Sequence, residues 1–355
     1  MTRSRRAASI AAAIGFGGLA IGLLIDPRTV FASYLVAWMA ISAISVGALA
    51  VLFTAYLVRA GWTHDLHDLL AGTALTIPVV AVLFIPVIAG MAHLYPWASN
   101  EVLLTGFKAA YLTPWFFVLR SVSYFAIWTA LAFMGARAYG NEIAMKRIAS
   151  AGLIVWALTS SWAGIDWLES LEPQFHSSIY GLLMISFQML DGLSFAIAAL
   201  LLFRGTRQMS NAAYAGILLS VLLLWAYLHA MQYIIIWTGN IPDEVVWYLE
   251  RLKEGWGVAL WALFILQFFV PFLALLSESV RGSTKALLWL AVATLALRYL
   301  EAAVLILPPL KIVSTALCLD LPAAIVATGA VWLLAWQTAG GLWRAALSGR
   351  ATASR

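Results

Sequence analysis

Five ionisable side chains fall inside stretches otherwise too apolar to welcome them: Arg120, Asp191, His229, Arg298 and Glu301, with Gln188, Gln232 and Gln267 beside them. A charge near the middle of a bilayer costs on the order of 2.5–3.5 kcal/mol on insertion scales, so each needs a partner or a purpose. Helical spacing sorts them into faces. Gln188 and Asp191 stand three apart, with Met184, Ser194 and Phe195 continuing one stripe; Trp225, His229 and Gln232 share another; Arg298 and Glu301 are within pairing reach on a third. Only the interior of a bundle shields such faces from acyl chains. A carboxylate, an imidazole and amides converging there are the parts of a proton path, whereas an internal ion pair (Arg298 with Glu301) or an interhelical hydrogen bond (His229) is the plainer alternative.

The elements that hold these groups are set by composition. Residues are 63% hydrophobic and only 10% charged, with mean hydropathy +0.93, whereas a soluble domain is roughly 45–50% apolar and about 25% charged. The apolar runs are continuous rather than alternating and reach the roughly 20 residues needed to cross a bilayer, which predicts helices and not a barrel. Spans are expected at about 7–25, 33–58, 68–92, 114–136, 148–168, 178–203, 212–237, 256–278, 284–307 and 321–345. The fold class is therefore all-α, an integral membrane protein of about ten transmembrane helices. The first span is long enough to cross and is read as a retained helix rather than a cleaved signal peptide.

Loop charges set the orientation. Arg3, Arg5, Arg6, Arg59, Arg137, Lys146, Arg147, Arg204, Arg207, Arg281, Lys285, Arg344, Arg350 and Arg355 gather on one side, against Arg28, Lys108, Arg251, Lys253 and Lys311 on the other. The rich side is expected in the cytoplasm, and with it both termini, in a bacterial inner membrane. The charge of +5 is a topology signal, and nucleic-acid binding is not expected. At 1.5 Å per residue, Arg120 lies roughly 9 Å below the outer edge, His229 and Glu301 roughly 10–12 Å, and Asp191 on the cytoplasmic half. Trp97, Trp167, Trp237, Trp247 and Tyr248 read as an interfacial aromatic belt. Thr113-Pro114 reads as a helix start, while Pro78, Pro86 and Pro271 are expected to bend the third and eighth spans.

Metal and redox chemistry find few ligands. Cys318 is the single cysteine, which excludes an intrachain disulfide and a CxxC-type iron–sulfur motif. His64 and His67 have i, i+3 spacing, but with Asp65 and Asp68 among them they read as a solvated cytoplasmic connection. No metal site and no bound haem are expected, so electrons belong to partner proteins.

One segment is less generic. Ser161-Trp162-Ala163-Gly164-Ile165-Asp166-Trp167-Leu168-Glu169-Ser170-Leu171-Glu172-Pro173, followed by Ser177-Ser178-Ile179-Tyr180-Gly181, resembles the NrfD/polysulfide-reductase-type membrane subunits, in particular the F subunit of alternative complex III, a bacterial quinol:cytochrome c oxidoreductase. Similar stretches are Leu94-Tyr95-Pro96-Trp97, Tyr111-Leu112-Thr113-Pro114 running to Phe116-Phe117-Val118-Leu119-Arg120, Ile236-Trp237 to Asn240-Ile241-Pro242 and Trp247-Tyr248-Leu249, and Gly255-Trp256-Gly257 onward to Pro271-Phe272 and Leu275-Leu276-Ser277. The likeness covers roughly residues 30–310.

The resemblance implies two four-helix bundles, residues 33–168 and 178–307, flanked by the first and last helices. It implies a complex containing a second NrfD-like subunit, an iron–sulfur subunit and c-type cytochrome subunits, with a terminal oxidase in an extended assembly. It also implies quinol, menaquinol or ubiquinol, as the substrate oxidised near the outer face. On that footing His93, Arg120, Tyr124 and Asp166 are candidates for an outer quinol pocket: Asp166 lies in the DWL element, Arg120 in the FFxxR stretch, and His93 enters by position alone. Gln188, Asp191, His229, Gln232, Arg298 and Glu301 are candidates for a conduction track. An ion-coupled secondary transporter and a non-catalytic scaffold for redox partners remain alternatives.

Overall fold

A computed structural model describes residues 3–58, 61–203, 210–312 and 317–353, with side chains throughout except at 63, 64 and beyond 340. Arg59, Arg204, Arg207 and Arg355, and the side chains of His64, Arg344 and Arg350, lie outside the described residues. Within them the chain is helical with no strand, and ten helical segments are long and apolar enough to cross a membrane. It is an all-α, multi-pass integral membrane protein.

The spans are α1 (Arg3–Leu23), α2 (Pro27–Leu57), a broken third span of α3 (Thr63–Ala74), α4 (Ile77–Val82), α5 (Ile85–Ala89) and α6 (Met91–Leu94), and then, after the short α7 (Gly106–Tyr111), α8 (Pro114–Ala138) and α9 (Glu142–Trp167). The second half holds α10 (Tyr180–Phe203), α11 (Asn211–Gly239), the loop helix α12 (Pro242–Glu250), α13 (Trp256–Ala262), a π-helical stretch Leu263–Phe269, α14 (Val270–Leu276), the short α15 (Glu278–Gly282), α16 (Thr284–Ile306) and α17 (Leu317–Ala353). α2, α3, α4, α8 and α9 pack together, as do α10, α11, α13, α14 and α16, while α1 pairs with α17 and α17 also lies on α2 and α3.

α2 is apolar all round because it is enclosed all round: the whole of its most apolar stretch is buried, and it touches α3, α9, α10, α16 and α17. Its meeting with α10 is a crossing of glycines. A Cβ built on Gly47 would stand 1.7 Å from the Gln188 carbonyl oxygen, and one on Gly192 would stand 2.3 Å from the Ala48 nitrogen. Small residues let two backbones touch where lipid supplies no hydrophobic drive for association.

Proline breaks the third span as expected, and α2 serves the exposed carbonyls: Trp38 Nε1 donates to Val80 O (3.0 Å) and Tyr34 Oη to Leu83 O (2.8 Å). Thr76, at the first break, shares a 2.8 Å hydrogen bond with Ser45, and Trp332 Nε1 of α17 donates to both hydroxyls, at 2.8 Å to Ser45 and 3.1 Å to Thr76. In the eighth span the irregularity precedes Pro271 as the π-helical stretch.

Asp26 caps α2, accepting from the Arg28 and Thr29 backbone nitrogens and from the Thr29 hydroxyl. Asp26→Ala should destabilise the chain by about 1 kcal/mol, read as a fall in unfolding temperature in detergent. The Thr29 hydroxyl, foremost, and the two backbone donors hold the Asp26 carboxyl below its usual value of 3.8. The cap's contribution is therefore full above that value and lost as pH falls through the lower folded value, so the wild-type and Asp26→Ala curves should converge in acid.

Two sequence expectations need correction. The stretch around His64 and His67 is not a solvated connection but the first turns of α3, with Asp65 and His67 each only 7% exposed. His67 packs against Tyr56 and Tyr139, and Tyr214 of α11 donates to Asp65 at 2.7 Å, because these polar groups pair with one another where helices converge. The aromatic belt is also smaller than expected: Trp97, Trp167 and Trp247 are buried, whereas Trp237 is 69% exposed. The first three are drawn inward by partners described below.

Candidate functional site

Two polar clusters occupy the membrane interior. The first joins α8 to the end of α9. Asp166 is fully buried; its Oδ1 accepts from Arg120 Nη2 at 2.8 Å, and its Oδ2 from Arg120 Nε at 2.9 Å and Tyr124 Oη at 2.7 Å. Arg120 also donates to Tyr111 O and lies over the Tyr111 and Phe116 rings, 3.7 and 4.4 Å from their centroids. Both carboxylate oxygens thus have charge-assisted partners in a bidentate arrangement. Arg120, Tyr124 and Asp166 come together as one unit; His93 does not join them, being exposed on α6 and stacked on Phe31.

The rest of the DWLESLEP segment explains why it stands out in the sequence. Trp167 turns into an aromatic core with Trp38, Phe84, Phe125 and Trp128, donates to Ser121 Oγ (3.0 Å), and accepts at its carbonyl from Tyr95 Oη (3.0 Å). Ser170 O accepts from Trp97 Nε1, Glu169 from Ser177 N, and Pro173 O from Lys108 Nζ. Glu172 pairs with Arg251, which was expected to be an outer loop charge.

Arg251 is instead 0% exposed. Its guanidinium meets Glu172 Oε2 at 2.8 Å, donates to Trp247 O, Val304 O and Leu305 O, and lies 3.7 Å over the Trp247 ring. It fastens the loop after α9 to α12 and to the last turn of α16. Nothing local in the sequence marks it, since its partner carboxylate lies 79 residues away.

The second cluster is built by α10, α11 and α16. Asp191 and Arg298 are 1% and 0% exposed, with Arg298 Nε 3.9 Å from Asp191 Oδ1. Arg298 Nη2 closes on Glu301 Oε2, one turn along α16. Glu301 Oε1 then meets His229 Nε2 at 3.1 Å, and Trp225 Nε1 donates to both Glu301 oxygens at 3.1 and 3.2 Å. Arg298 lies between the Phe187 and Trp225 rings, 4.6 and 5.2 Å from their centroids. Asp191, Arg298, Glu301 and His229 therefore follow one another across three helices, with the Asp191–Arg298 step a 3.9 Å ion-pair approach rather than a hydrogen bond.

Gln188 and Gln232 stand outside that series. Gln188 accepts from Ser160 of α9 at 2.9 Å, and Gln232 is 2% exposed with its oxygen lacking a hydrogen-bond partner among the described residues. Neither Asp191 oxygen has a hydrogen-bond donor there, and neither amide atom of Gln267, buried on the π-helical stretch, has a partner. π-helical turns are uncommon and often accompany functional positions.

The charges in the second cluster do not cancel pairwise. One guanidinium, Arg298, faces two buried carboxylates, Asp191 and Glu301.

Fold and clusters together define the class: a polytopic helical membrane protein with ionisable groups buried between its helices. Searches of protein-family models and of curated proteins find no match to the chain.

Proposed function

We propose that this chain is the proton-conducting membrane subunit of a bacterial respiratory quinol:cytochrome c oxidoreductase of the alternative complex III type, lying in the inner membrane with both termini in the cytoplasm. The observation that carries the reading is the Asp191, Arg298, Glu301 and His229 series, which holds two carboxylates against one guanidinium in the hydrocarbon layer. The resemblance of the DWLESLEP element and its companion stretches supplies the kind of complex. Quinol, menaquinol or ubiquinol, is the electron donor. A second NrfD-like subunit, an iron–sulfur subunit and c-type cytochromes carry the electrons, with a terminal oxidase downstream.

In this reading a proton enters at Asp191 from the cytoplasmic side and passes to Glu301 as Arg298 shifts its pairing from one carboxylate to the other. His229 then takes it outward. The guanidinium is the switch: whichever carboxylate it leaves becomes the better base.

The test is the assembled complex in proteoliposomes, driven by a quinol analogue, with cytochrome c reduction and proton transfer recorded together. Asp191→Asn should leave reduction within about threefold of wild type and lower proton transfer per electron at least tenfold. Full translocation by that variant would remove Asp191 from the path.

A further inference from the structure

Asp320, in the first turn of α17, is a buried carboxylate that the rest of the chain leaves unanswered. It is 1% exposed, and neither of its oxygens has a hydrogen-bond donor among the described residues. Contact fixes where it lies. A Cβ built on Gly22 would stand 2.3 Å from Asp320 Oδ1 and 2.7 Å from Val30 Cγ2, so the carboxylate rests on the last turn of α1, beside the start of α2. Asp26 is close by: its backbone nitrogen donates to Gly22 O at 2.9 Å, and its charge acts on Asp320.

Two carboxylates thus meet the C-terminal end of a 21-residue helix, whose dipole also favours a cation. The N-termini of α2 and α17 supply partial positive charge in return. The first is taken up by the Asp26 cap, and no N–H of the second bonds to Asp320. Arg28, two residues beyond Asp26, is exposed and pairs with neither carboxylate. A carboxylate closed off from water without a compensating partner is costly, so this place calls for positive charge from outside the chain.

We propose that Asp320 and Asp26 bind a Ca²⁺ ion, which fastens the starts of α17 and α2 to the end of α1. The site stands apart from the respiratory reading and does not depend on it. Two carboxylates balance a divalent charge. No histidine, cysteine or third carboxylate joins them among the described residues, so the donors are oxygens, which suit a hard cation rather than zinc or copper. Ca²⁺ takes about 6–8 oxygens in flexible geometry and accepts backbone carbonyls, which the end of a helix has to spare. Mg²⁺ retains several of its waters, and the Asp320 oxygens are shut off from water.

The experiment strips the purified full chain with EGTA in detergent and titrates it with CaCl₂ or MgCl₂, recording radiolabelled Ca²⁺ by equilibrium dialysis and unfolding temperature in parallel. Wild type should bind about one Ca²⁺ per chain with half-saturation at roughly 10⁻⁴–10⁻³ M, the range of extracellular sites, and Mg²⁺ should bind at least tenfold more weakly. Saturation should raise the unfolding temperature by about 2 °C or more. Asp320→Asn and Asp26→Asn should each weaken Ca²⁺ binding at least tenfold. Asparagine caps a helix as well as aspartate does, so Asp26→Asn remains a fair test if Asp320→Asn does not fold. Asp243→Asn, at an exposed acid on α12, is the control and should bind as wild type does. Absence of Ca²⁺ binding by wild type, or wild-type affinity in either site variant, overturns the proposal and leaves Asp320 holding a proton instead.

Discussion

Gly47→Ala should be among the most damaging single-methyl changes available to this chain. The added Cβ would lie 1.7 Å from a backbone carbonyl oxygen of α10, and the facing Gly192 leaves no room for either helix to give. Overpacking a core usually costs about 1–3 kcal/mol where side chains can move aside. Here the obstacle is backbone at the crossing of α2 and α10. A loss of at least about 3 kcal/mol is expected, or failure to recover folded protein, read as unfolding temperature and monodisperse yield in detergent. Gly329→Ala is the control, because nothing lies within 4 Å of its added methyl. Equal stability of Gly47→Ala and wild type would mean that α2 and α10 do not cross as described.

Asp166→Ala should come next in size. It strands the Arg120 guanidinium, 10% exposed, with one backbone carbonyl and two aromatic faces. Breaking one side of a buried pair typically costs about 3–5 kcal/mol, while replacing both partners by apolar residues of similar size is often close to neutral. Arg120→Met with Asp166→Leu should therefore be more stable than Asp166→Ala alone, as measured by thermal unfolding. A variant that kept wild-type stability and instead raised KM for quinol would make Asp166 a substrate ligand rather than an anchor.

The ten spans were legible because lipid imposes a simple demand: about 20 apolar residues per crossing, with the breaks at Pro78 and Pro86 visible as missing donors. The pairing of Arg298 with Glu301 was legible for a similar reason, since one helical turn fixes their approach. What the sequence hides is contact between helices. Asp166 meets Arg120 across 46 residues, Glu301 meets His229 across 72, and Glu172 meets Arg251 across 79; no periodicity encodes those distances. Trp167 looked like an interfacial residue because it ends a span, yet a Ser121 acceptor and five aromatic neighbours hold it in the core. His67 was hidden by the polar residues around it, which are partners in a packed junction rather than a hydrated turn.

The bond from Trp332 to Thr76 spans 256 residues. Ribosomes add about 5–20 residues each second, so the indole arrives roughly 13–50 s after the hydroxyls it serves have entered the bilayer. During that interval Ser45 and Thr76 have each other, 2.8 Å apart, as a provisional arrangement. Biogenesis of the amino-terminal half thus ends only when a much later segment slides in beside it, and a ribosome stalled before Trp332 should leave a nascent intermediate that insertion factors or quality-control proteases can still recognise as unfinished.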